Sequence, residues 1–88
     1  MKALITTKHR GVFAGEVADD QDLALTSMPV ANARMAISFG TTKGVLELAE
    51  TGPTGSSRIS APADIAMLHD ITGVFKITKE AWVKWNDA

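Results

Sequence analysis

Two short segments carry the side chains best suited to hold a ligand. Gly52-Pro53-Thr54-Gly55-Ser56-Ser57-Arg58 sets backbone N–H groups and hydroxyls beside a guanidinium, a combination that cradles anions. The Gly-Lys-Thr ending of a nucleotide-binding P-loop is missing from it. His9-Arg10, just ahead of Gly11, adds an imidazole and a second guanidinium. Arginine grips phosphate or carboxylate in a bidentate fork. Thr51, Thr54, Ser56, Ser57 and Arg58 on one loop, with His9 and Arg10 on one turn, are therefore the candidate binding residues. Joined in one site they would suit a small anionic ligand or an acidic partner side chain. The competing expectation is plain turn chemistry, since Gly and Pro punctuate loops whatever their function.

Other chemistries find little footing. The chain has no Cys, which excludes disulfides, thiolate metal sites, iron–sulfur clusters and cysteine nucleophiles. His69 falls in an apolar alternation with Met67 and Ile71 and reads as a core-edge histidine. His9 and His69, far apart and without paired carboxylates, make no metal set. Asp19, Asp20 and Asp22 lack the Gly and the later Glu of a calcium loop and read as a solvated hairpin tip. Asp64 and Asp70 are separated by an apolar run and share no evident partner. No nucleophile elbow presents a serine. The expectation is a protein with no catalytic residue, no metal and no cofactor.

Those segments need a scaffold, and the first half of the chain reads as short strands. Lys2–Thr7 alternates Ala3 and Ile5 with Leu4 and Thr6, and Gly11 offers φ > 0 in the turn that follows. Val12–Ala18 resumes with Val12, Ala14 and Glu16 on one face, and Gly15 inside it predicts a bulge or a close backbone approach. Leu23–Met28 reads as the returning strand, which Pro29 should stop or carry to a sheet edge. Arg34–Phe39 alternates again. The period then changes: Val45, Leu46, Leu48 and Ala49 ahead of Gly52-Pro53 predict a short helix over Lys43–Glu50. Arg58–Ala61 is a brief strand that Pro62 interrupts, and a β pattern runs from Ile65 to Ile77, bent at Gly73. Thr78 is a good N-cap for a terminal helix, and Glu80 complements its dipole. Trp82 and Trp85, one turn apart, are its expected packing anchors. The sum is an α+β single domain, 1–88: a small curved antiparallel sheet or barrel of about six short strands, one internal helix and a C-terminal helix.

Composition agrees. Hydrophobic residues at 45% and charged ones at 22% are those of a globular chain. A net charge of −1 creates no field to gather nucleic acid. The aromatics Phe13, Phe39, Phe75, Trp82 and Trp85 sit in core-seeking runs, with no strand interleaving Lys or Arg with them. An oligonucleotide-binding small barrel, which needs such a stacking platform, is therefore the least favoured reading. No apolar run approaches the roughly 20 residues of a membrane span, and the start turns polar too early for a signal peptide. The expectation is a soluble, intracellular domain, with self-association a common remedy at this size.

Several blocks carry a resemblance: Thr7-Lys8-His9-Arg10-Gly11-Val12-Phe13-Ala14-Gly15, Gly44–Thr54 with its Thr-Gly-Pro-Thr, Arg58-Ile59, Leu68-His69-Asp70-Ile71-Thr72 and Glu80-Ala81-Trp82. In this order they resemble a family of small proteins of no established activity encoded by tailed bacteriophages; the stretch from Asp19 to Phe39 is the least similar. The resemblance implies a viral protein acting in the host bacterial cytoplasm or in the virion, and it transfers no catalytic residue. The reading is a non-enzymatic accessory protein and homo-oligomer that binds a host factor or a small anionic ligand, so as to counteract host defence. A virion decoration or structural subunit is the alternative.

Overall fold

The computed structural model describes residues 1–8, 11–38, 49, 52 and 58–87, and of residues 37 and 38 the backbone alone. Six strands and a C-terminal helix follow in the order β1 (Lys2–Thr7), β2 (Val12–Glu16), β3 (Met28–Ser38), β4 (Arg58–Ile59), β5 (Ala63–Leu68), β6 (Ile71–Lys76) and α1 (Lys79–Asp87). The strands form an open, antiparallel sheet in the order β4-β3-β2-β1-β6, with β5 also paired to β3. The expected helix over 43–50 falls almost wholly outside the described residues. Gly52 takes φ 90, the left-handed backbone that glycine adopts without a Cβ penalty.

The predicted strand count is met by different strands. Leu23–Met28 and Arg34–Phe39 are not two strands: residues 23–26 turn, and one long β3 begins at Met28 and runs through Pro29. Pro29 is tolerated because the last β2 pair is Glu16↔Ala31, so that β3 pairs only with β5 beyond it. A residue without an N–H fits a strand whose one side is open. The run from Ile65 to Ile77, in turn, breaks in two. Asp70 takes φ 57, a conformation that a short acidic side chain tolerates, and the chain leaves β3 for β1. His69 therefore lies exposed in that turn and is not a core-edge residue between Met67 and Ile71. The Asp70 carbonyl accepts the Lys8 N–H at 2.9 Å, and the Ile71 N–H donates to the Thr26 carbonyl at 2.9 Å.

β4 and β5 lie end to end along one side of β3, with Ser38↔Arg58, Ala36↔Ile59, Ala33↔Ala63, Val30↔Ile65 and Met28↔Leu68 opposed. Pro62 separates them, and Ser60 bridges the gap: its N–H donates to the Met35 carbonyl at 2.9 Å and its Oγ accepts the Met35 N–H at 2.8 Å.

Alternation along β1 builds two cores, one on each face. Ala3 and Ile5 pack with Val17, Met28, Val30, Ala33, Leu68 and Ile71. Leu4 points the other way, to Val12, Ala14, Ala36, Ala49 and Trp85. Leu4, Ile5 and Trp85 are fully buried, and Leu4 and Ile5 each contribute about 1.5–3 kcal/mol of transfer free energy. The expected N-cap is in place: the Thr78 Oγ1 accepts the Ala81 N–H at 3.1 Å. The chain start is tied down as well. The Met1 ammonium donates to the Val17 carbonyl at 2.6 Å and to Asp19 Oδ1 at 2.9 Å. That hydrogen bond and charge hold the exposed Asp19 carboxyl below the usual carboxylate range.

Candidate functional site: a groove at the β3 bulge

Of the residues expected to bind, Arg58 alone is described. It opens β4 opposite Ser38, and its side chain is exposed. His9, Arg10, Thr51, Thr54, Ser56 and Ser57 lie outside the described residues, so the joined anion site stays an expectation. The base of the 51–58 loop is held against the terminal helix: a Cβ on Gly52 would come within 2.8 Å of Lys84 Cβ and 3.0 Å of the Ala81 carbonyl oxygen. The packing anchors are placed. Trp85 is fully buried and Trp82 half-buried beside it in the same cluster, with Lys2 Nζ 5.6 Å from the Trp82 ring centroid, within reach of a cation–π attraction.

The acidic segment is a turn, as expected. The Asp22 Oδ1 accepts the Ala24 N–H at 3.0 Å, the arrangement by which aspartate mimics a backbone turn. Among the described residues no three His, Asp or Glu side chains converge on a metal-sized point.

A site that sequence reasoning missed is built around Asn32. The register of β3 slips there on both sides, against β2 between Ala14 and Glu16 and against β5 between Val30 and Ala33. Asn32 is the extra residue, with φ 49, as expected of a bulge position. Across from it, Gly15 answers the predicted close approach: a Cβ would stand 2.5 Å from Val30 Cγ1 and 2.9 Å from the Ala31 carbonyl oxygen. Gly11, by contrast, does not take φ > 0; its missing Cβ makes room for Thr7 Oγ1.

The bulge turns both Asn32 donors toward carboxylates. Its backbone N–H donates to Asp64 Oδ1 and its Nδ2 to Glu16 Oε2, each at 2.9 Å. Asp64 thus has the partner that the sequence did not reveal. Beside the three residues runs an open groove of about 460 Å³, lined by Glu16, Ala18, Pro29, Val30, Ala31, Asp64, Ile65 and Ala66. The readable signal was Asn32 itself, a residue depleted in strands within the run Val30–Arg34.

A second surface feature is apolar. Leu23 and Leu25 stand 45% and 52% exposed on the loop that leads into β3, and Met67 is 47% exposed on β5. The two segments meet through the Met28↔Leu68 pair and the bond from Ile71 N–H to the Thr26 carbonyl.

In comparison with known proteins, a family model described as Domain of unknown function (DUF6948) matches residues 1–85. No curated protein and no solved structure matches the chain.

Proposed function

We propose that this chain, which belongs to the DUF6948 family of domains of unknown function, is a non-enzymatic binding module that engages a partner protein. The observation that carries the reading is the exposure of Leu23 and Leu25 on one loop, next to the strand that bears Met67. Large apolar side chains exposed on neighbouring segments of a small domain favour an interaction surface. Loops on a rigid sheet are where binding residues are usually displayed. The resemblance of the His9–Gly15 and Thr51–Thr54 blocks to tailed-phage proteins supports a setting in the infected bacterium. There the module acts on a host factor in the cytoplasm as an accessory protein. Self-association is part of the same reading, since a chain of 88 residues with no Cys is short of the stabilisation that a second copy supplies.

The test is affinity capture of the tagged chain from infected cells beside the double variant Leu23→Ser/Leu25→Ser. The expected outcome is one host protein enriched by the wild type and lost by the variant at an unchanged melting temperature. Equal capture by both overturns the reading. So does recovery of the chain in many copies in purified particles, which assigns it to the virion.

A further inference from the structure

The groove over the β3 bulge combines hydrocarbon walls with a negative rim, and that pairing selects an occupant. Pro29, Ala31 and Ala66 offer exposed apolar surface, while Glu16 and Asp64 stand as carboxylates on the same groove. Each carboxylate uses one oxygen on Asn32, Glu16 its Oε2 and Asp64 its Oδ1. The second oxygen of each has no hydrogen-bond partner among the described residues. Among the described residues no basic side chain lines the groove. Free anions are repelled there, and two carboxylates are too few to hold a metal ion among the described residues.

We propose that the groove receives an arginine side chain carried by an extended basic segment of a partner protein. The aliphatic stem lies along Pro29, Ala31 and Ala66, as long cationic side chains do on apolar surface. The guanidinium fork donates to the outward oxygens of Glu16 and Asp64. Asn32 is the positioning residue, because its two donors orient both carboxylates toward the same opening. At about 460 Å³ the groove holds several times the volume of one side chain, which favours a peptide over a free amine. The inference goes beyond the Leu23–Leu25 surface and names the partner's chemistry at a different place.

The experiment titrates nitrogen-15-labelled protein with the peptide acetyl-Ala-Ala-Arg-Ala-Ala-amide and with its norleucine counterpart. The arginine peptide is expected to give saturable amide shifts at Ala31, Asn32, Asp64 and Ala66, with the norleucine peptide at least ~10-fold weaker, the loss of one charge-assisted contact. Glu16→Gln with Asp64→Asn keeps an acceptor oxygen for each Asn32 donor while removing both charges. The double variant should therefore keep its spectrum outside the groove and weaken the peptide by ~10-fold or more. Added salt should weaken wild-type binding in parallel, a measurement independent of how the variant folds. Absence of saturable shifts, equal affinity for the two peptides, or salt-insensitive binding overturns the proposal. Shifts at the same amides on concentrating the protein alone overturn it too, and assign the groove to a second copy. Leu23→Ser/Leu25→Ser should bind the arginine peptide as the wild type does, so failure of one reading leaves the other readable.

Discussion

Trp85 is the residue on which the second core turns. It is fully buried among Leu4, Val12, Ala14, Ala36 and Ala49, so truncation opens a cavity between helix and sheet. Trp85→Ala should cost about 3–5 kcal/mol, a large share of the 5–15 kcal/mol that typically holds a domain together. Trp82 presents a different balance. It is half-buried, with Lys2 Nζ over its ring at 5.6 Å, and Trp82→Ala should cost less than half as much. Urea melts of both variants check the order. A Trp85→Ala midpoint equal to that of the wild type would remove α1 from the core.

At the scale of the element, β3 matters most, because every strand but β1 and β6 pairs with it. Its bulge and Gly15 are two halves of one feature. The extra residue pushes the backbone of Ala31 and Ala33 toward β2, and only a residue without Cβ fits beneath. Gly15→Ala should destabilise the fold by about 1–3 kcal/mol through overpacking. The opposing atoms are backbone and a buried Val30, which have nowhere to retreat. Asn32→Val places a β-branched side chain at φ 49, costs about 1–2 kcal/mol in left-handed strain, and releases the Glu16 contact. Thermal melts measure both costs, and a Gly15→Ala protein as stable as the wild type would show that the strands can separate there. The terminal helix is simpler. Thr78 caps it, and Glu80 and Lys84 pair at 3.8 Å on its exposed side, a contact that contributes only tenths of a kcal/mol.

The described residues form a sheet with a core on either face, with β4 and β5 along one edge and β6 at the other. Among the described residues β4 and β5 pair only with β3. Strand edges of this kind are templates for further pairing. Pro62 and the two-residue length of β4 blunt part of that edge, while Ala63–Leu68 stays free along it. This edge is consistent with self-association. Light scattering at micromolar concentration should return a mass at least twice the 9.3 kDa of one chain. A stable monomer would overturn the expectation of self-association. No helix among the described residues is long and apolar enough to cross a membrane.

Local rules carried much of this architecture, because they depend on neighbours along the chain. The two-sided burial of β1, the Thr78 cap, the Trp anchors, the Pro62 break and the close approach at Gly15 all follow from side-chain period and backbone chemistry near each residue. What depends on pairing at a distance stayed hidden. That Met28–Ser38 is one strand through Pro29, and that Ile65–Ile77 parts at Asp70, are consequences of where β2 ends and where β1 stands. The groove is of the same kind. Glu16 and Asp64 lie 48 residues apart in the chain and meet because Asn32 bulges between β2 and β5 and offers a donor to each. A period-two pattern records which face a residue takes, whereas a register slip on two sides at once exists only after the three strands have come together.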